Sequence, residues 1–191
     1  MPSSPRRGIS AQPRASEIAT QGPGDGGVMG QRHQASDQYV IFALGSTRFA
    51  ASIHQVLRIT PRLPMTRVPR APEFLEGVIN DHSQVVPVVD LRKRMSLAEA
   101  VAGAGVDQQK SRILILELEG QVLGLLVDTV LEVLRIDSST IKPPPPMVAQ
   151  VNGVYLTGIV QVDDQVVLLL DLERILTVDE VDEVANWRAG S

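Results

Sequence analysis

Two stretches of this chain follow one plan, and that constrains its fold more than any other feature. Set without a gap, Phe74–Met95 falls on Tyr155–Leu176. Leu75 meets Leu156, Gly77 meets Gly158, Gln84-Val85-Val86 meets Gln165-Val166-Val167, and Asp90-Leu91 meets Asp171-Leu172. Nearly every other apolar position is matched by an apolar one. A weaker echo sets Phe49–Ile59 on Leu126–Ile136, both ending Leu-Arg-Ile. A two-fold repeat this short is too sparse for a solenoid. It predicts two pseudo-equivalent lobes.

The texture of the repeat is that of short strands. Tyr39–Leu44 is a strand-length apolar run, interrupted by Gly45-Ser46 and resumed at Arg48–Ala51, a hairpin signature. Ile53–Ile59 reads as a helical turn leading into a strand. Prolines 61, 64, 69 and 72 then force an extended, irregular connection. The strands that follow flank the polar turn Asn80–Ser83. Close turn spacing favours a small barrel or curled sheet over a sandwich. Short helices are expected at Leu91–Ala100, Asp171–Leu176 and Val178–Trp187. Asp90 and Asp171 stand at equivalent positions before helical segments, as N-caps would. Val101–Lys110 reads as a linker between the halves, and Pro143–Pro146 as a stiff spacer.

Residues 1–37 are rich in Gly, Pro, Ser, Gln and Arg and carry no hydrophobic period, which predicts a disordered tail. The Gly-rich Gly22–Gly27 follows no strand and lacks the Gly-Lys-Ser/Thr ending of a phosphate loop. The body spans 38–182, with a first lobe at about 38–100 and a second at about 111–176. Residues 183–191 are a tail or the end of a terminal helix. Composition narrows function by exclusion. The chain has no cysteine, so disulfides and thiolate metal sites are ruled out and a reducing cytosol is expected. A net charge of −4 offers no field for nucleic acid. No apolar run is long enough to insert in a membrane, and no secretory signal is visible at the start.

In order and spacing, several stretches of the body resemble the CheW family of chemotaxis adaptors. They are Gln38–Gly45, Pro72–Asn80, Val86–Arg92, Gly124–Val130, Tyr155–Ile159 and Leu170–Leu172. The resemblance implies a mainly β fold of two intertwined five-stranded barrels of the SH3-like kind, with few helices. It implies a non-enzymatic protein without cofactor that couples the cytoplasmic tip of methyl-accepting chemoreceptors to the regulatory domain of a CheA-type histidine kinase. The partner-binding positions it carries over are Val56 in the first connecting segment, Gly77, and Asn80 at the start of an Asn-Leu-Arg-Gly motif. Here the rest of that motif reads Asp81-His82-Ser83, so its arginine is His82, which cannot form a guanidinium fork. With Arg58, these make the candidate partner-binding set Val56, Arg58, Gly77, Asn80 and His82.

Each of these residues has a plainer role available. Val56 can be core, and Gly77, repeated as Gly158, can answer a backbone need. His82 with Asp81 can be a solvated turn, since three histidines with only His54 and His82 in the body do not make a metal site. Asp163-Asp164 reads as a turn. Arg58, Arg62, Arg67, Arg70 and Arg92-Lys93-Arg94 give the first half a basic bias, as loop charge or as a docking surface. No aromatic residue is interleaved to stack bases. No nucleophile–base pair or cleft carboxylates stand out, so no catalytic residue is expected. An SH3-like peptide-binding module outside chemotaxis is the alternative, and it needs an aromatic-lined groove. One Trp and two Tyr count against it.

Overall fold

The structure is a computed structural model that describes residues 36–97, 107–146 and 155–189. Most of the predicted tail therefore lies outside the described residues, as do positions 98–106 of the expected first helix and linker. Ten strands run in chain order: β1 (Ser36–Leu44), β2 (Thr47–Ser52), β3 (Arg58–Pro61), β4 (Leu75–Asp81), β5 (Gln84–Asp90), β6 (Arg112–Leu118), β7 (Gln121–Val127), β8 (Thr129–Asp137), β9 (Leu156–Val162) and β10 (Gln165–Leu170). Helix α1 (Leu91–Arg94) follows β5, and α2 (Val178–Ala189) closes the described chain. The protein is mainly β, as its sequence predicts. Residues 183–189 continue the terminal helix rather than forming a tail.

The strands form two five-stranded sheets, β8-β1-β2-β10-β9 and β3-β6-β7-β5-β4. Advancing each strand of the first sheet by five, cyclically, reproduces the second. The internal repeat is therefore real at the level of topology. It does not divide the chain where the sequence suggested, at 38–100 and 111–176. Each sheet takes two strands from one half and three from the other, joined by parallel pairs, β2 with β10 and β5 with β7. The chain crosses between sheets from β2 to β3 and from β7 to β8, whereas the connections after β3 and after β8 each return to the same sheet. Exchange of this kind buries strand edges that each half alone would expose.

Strand register also corrects the weaker echo. Ala50 lies beside Leu169, and Gly124 lies beside Val88. Because Leu169 and Val88 are equivalent in the gapless repeat, Ala50 corresponds to Gly124, and Phe49 to Leu123 rather than Leu126. The Leu-Arg-Ile match is thus three residues out of register. Ile59 is 37% exposed whereas Ile136 is 4% exposed, as non-equivalent positions can be. The true counterpart of Leu57-Arg58-Ile59 is Leu131-Glu132-Val133: Arg58 pairs with Ile115, and Glu132 with the equivalent Ile41.

Burial follows the same symmetry. One small core lies in each sheet's concavity: Ile41, Ala50, Val160, Val167 and Leu169 in the first, and Ile115, Ile79, Val86, Val88 and Ile113 in the second. A larger core between the sheets joins Phe42, Phe49, Leu114, Leu116, Leu125 and Leu170. Central strands such as β6 are buried on both faces, so Ile113–Leu116 is continuously apolar instead of alternating. Phe42 and Phe49 stack across the β1–β2 hairpin, with ring centroids 5.9 Å apart.

Each sheet also curls back on itself. The segment after β3 makes a two-way backbone bridge with β4, Thr66 N–H to Val78 O and Val78 N–H to Thr66 O, both 2.9 Å. After β8, Lys142 and Ile159 make the equivalent bridge at 2.9 and 2.8 Å. Gly77 and Gly158 stand next to these bridges and leave room for them. A Cβ on Gly77 would lie 2.5 Å from Thr66 O, and one on Gly158 would lie 2.6 Å from Ile141 Cγ2. The predicted caps are also present. Asp90 accepts from Arg92 N–H at 2.9 Å, and Asp171 accepts from Glu173 N–H at 3.1 Å.

Candidate functional site

β3 and β4 are the two edges of one sheet, and curling brings their ends together. The joint is ionic. The Arg58 guanidinium on β3 donates to Asp81 Oδ2 at the end of β4, while Asp81 Oδ1 lies 2.9 Å from His82 Nδ1. Asp81 is buried, so its charge depends on these partners. The Arg58 hydrogen bond holds the Asp81 carboxyl below the usual carboxylate range, and His82 adds to the effect against the opposing pull of burial.

His82 and Ser83 form a two-residue turn with φ of 49° and 67°, the backbone of a tight type I′ hairpin. Asp163 and Asp164 form the equivalent turn, at 46° and 60°. As the sequence suggested, that acidic pair is a turn. His82 is exposed at its tip.

The structure brings part of the candidate set together. Arg58 and His82 meet through Asp81, and Asn80 is exposed, opposite Val85 across the hairpin. Val56 ends the turn at Ile53–Gln55 and is half-buried, packed against the large core. Gly77 is buried, and the backbone that approaches it is the chain's own at Thr66. Arg92, Lys93 and Arg94, read as loop charge or docking surface, are engaged internally. Arg92 pairs with Asp128 at 3.3 Å, Lys93 with Glu76 at 2.6 Å and Arg94 with Glu180 at 2.9 Å. Arg94 also lies 5.3 Å from the centre of the Phe74 ring. Among the described residues no group of three or more carboxylates and histidines is placed to hold a metal.

Sequence reasoning missed the most regular surface feature. Six large aliphatic residues that face out of the two sheets, 37–61% exposed, form two equivalent sets. Leu57 and Ile59 on or just before β3, with Val85 on β5, make the first. Leu131 and Val133 on β8, with Val166 on β10, make the second. Val166 borders a depression of about 380 Å³ shared with Ile159, Val160 and Lys142. The repeated Gln-Val-Val was the available signal for one member of each set. The misregistered Leu-Arg-Ile echo hid the others.

Comparison with known proteins agrees with this architecture. Residues 38–180 match the family model of the CheW-like domain. Chemotaxis protein CheW of Klebsiella aerogenes is 30% identical over 149 residues, covering 78% of this chain and 87% of that protein. Protein FrzA of Myxococcus xanthus is 29% identical over 151 residues, covering 78% and 91%. Among solved structures, the scaffolding protein TtCheW of Thermoanaerobacter tengcongensis superposes with a TM-score of 0.67 at 33% identity, over 78% of this chain and 94% of that one.

Proposed function

This chain belongs to the CheW-like domain family, and from that premise we propose that it is a non-catalytic adaptor that couples chemoreceptor tips to a CheA-type histidine kinase in the cytoplasm. The observation that carries the reading is the pair of equivalent outward aliphatic sets, Leu57/Ile59/Val85 and Leu131/Val133/Val166. A coupling protein needs at least two faces that can be engaged at once, and a duplicated barrel supplies them by construction. Full burial of one such side chain is worth about 1.5–3 kcal/mol. Three per face are enough for a reversible contact. The receptor tip falls to the surface around Val56, Arg58, Asn80 and His82, with Gly77 holding the backbone beneath it. The kinase regulatory domain falls to an outward aliphatic set. Coupling then arises because a change in receptor packing alters the contacts available to the kinase, an effect commonly worth about 1–3 kcal/mol. No helix among the described residues is long and apolar enough to cross a membrane, so membrane association in this reading runs through the receptor.

Calorimetric titration with the regulatory domain of the CheA-type kinase from the same organism tests this. Saturable micromolar binding that is lost in Leu57→Asp or in Val133→Asp supports the adaptor. Absence of binding to any such kinase domain overturns the kinase assignment. In a parallel titration with a receptor-tip fragment, His82→Arg should change affinity while leaving kinase binding as it was.

A further inference from the structure

Val56 lies where the chain crosses from one sheet to the other, between β2 and β3. The crossing is short. After the turn Ile53–Gln55, Val56 N–H returns to Ile53 O at 3.1 Å, and Leu57 N–H donates to Ile115 O on β6 at 2.8 Å. The Gln55 side chain ties this segment to the one that follows β10. Its Nε2 donates to Asp171 Oδ1 at 2.7 Å, and its Oε1 accepts from Leu172 N–H at 3.3 Å. Both ends of the amide are thus engaged, by residues 116 and 117 positions away. Asp171 is held in turn, since Oδ1 accepts from Glu173 N–H at 3.1 Å and Oδ2 pairs with Arg174 at 3.1 Å.

The other crossing, from β7 to β8, is attached by different means. Strand register makes Thr129 the counterpart of Gln55 and Val130 the counterpart of Val56. Thr129 Oγ1 donates to Val130 O within its own segment, at 3.4 Å. Attachment comes instead from Asp128, which accepts from Gly45 N–H at 2.6 Å and pairs with Arg92 at 3.3 Å. Val56 and Val130 both pack half-buried against the large core. Between these two crossings, the two-point amide clasp belongs to the one that carries Val56.

From this we infer that Gln55 and Asp171 are positioning residues for the surface proposed to meet the receptor tip, an inference that rests on the receptor reading of Val56. A half-buried side chain offers a partner only part of its surface, so a small rotation of the crossing changes what is offered. The clasp fixes that rotation when the protein folds. Without it the crossing is ordered only when the partner binds, and the ordering cost is taken out of the affinity. Asp171 lies in the second half of the chain, so a surface carried by the first half is held in place by the second.

Calorimetric titration of the full chain with a chemoreceptor-tip fragment from the same organism, run beside native-state hydrogen exchange, tests the role. Gln55→Ala and Asp171→Ala should each weaken tip binding about fivefold or more, and the double variant should be no weaker than the worse single one. Exchange at the Val56 and Leu57 amides should quicken in all three. Asp90→Ala removes the equivalent cap without touching Gln55. It should lower thermal stability yet leave tip affinity and those two amides at wild-type values, with circular dichroism confirming that every variant is folded. Wild-type affinity in both single variants overturns the inference, as do single losses that multiply in the double variant. A loss of the same size in Asp90→Ala also overturns it, because destabilisation alone would then account for the effect. In each of these outcomes the receptor reading stands. A wild-type chain that does not bind the tip removes the receptor assignment, and the inference with it.

Discussion

Arg58 and Asp81, 23 residues apart, join the two edge strands of one sheet through a charge-assisted hydrogen bond. The equivalent positions in the other sheet are Glu132 and Val162, which cannot form such a pair. Both sheets share a backbone bridge that closes the curl, so the ion pair is an addition to one sheet rather than a requirement of the fold. It lies beneath the surface we propose for receptor contact.

Removing one partner leaves the other without its counter-charge. Arg58→Met strands a buried carboxylate, whereas Asp81→Asn leaves a guanidinium that is partly exposed and can reach water. Chemical denaturation should show Arg58→Met to be the more damaging, by about 1–3 kcal/mol relative to wild type. The double variant should recover part of the loss, and the cycle isolates the pair's coupling.

The depressed Asp81 carboxyl makes that coupling pH-dependent. A carboxylate whose pKa is lower when folded stabilises the protein above its unfolded pKa, and the contribution fades as pH falls through the folded value. The stabilisation that the Asp81 carboxylate gives wild type over Asp81→Asn is therefore present above the unfolded carboxylate pKa. It should shrink on acidification below about pH 4, where an unfolded aspartate begins to protonate. Urea midpoints measured across that range provide the check.

Gly77 and Gly158 are sequence equivalents with unequal tolerance. At Gly77 φ is +156°, and an added Cβ meets the Thr66 carbonyl, which belongs to the bridging backbone. At Gly158 the tightest contact is with the Ile141 Cγ2 methyl, a side chain that can rotate or shift. Thermal denaturation should place Gly77→Ala at least about 2 kcal/mol below wild type, with Gly158→Ala clearly less affected. Equal losses would mean that the bridge after β3 yields as readily as a side chain.

The capping aspartates differ in a similar way. Asp90 serves α1 and accepts from both Arg92 and Lys93, while Asp171 caps a single 3-10 turn. Asp171 also accepts from the Gln55 side chain at 2.7 Å, and Gln55 in turn accepts from Leu172 N–H at 3.3 Å. Each Asp→Ala change should cost about 1 kcal/mol from the cap alone. Asp171→Ala should be coupled to Gln55→Ala in a double-mutant cycle, and Asp90→Ala should not.

Much of the fold was legible because its causes are local. Apolar run length marked the strands, Asp before a helical turn marked the caps, and the gapless match of Phe74–Met95 to Tyr155–Leu176 marked the repeat. Paired glycines at 77 and 158 likewise announced a backbone requirement that repeats with the fold. The candidate site was only partly legible. Arg58 and His82 could be named, but nothing in a linear reading puts Arg58 on Asp81. Arg92, Lys93 and Arg94 looked the same as Arg67 and Arg70 of the β3–β4 connection until their acidic partners came into view.

By itself the sequence determined that this chain builds a set of short strands twice over on one plan, because hydrophobic period and turn chemistry act over a few residues. Only the tertiary structure decided that strands are exchanged between the halves, which aliphatic residues are left facing outward, and which arginines are spent internally. Those outcomes depend on contacts between residues tens of positions apart. There, burial and charge pairing are settled by how the sheets curl and close.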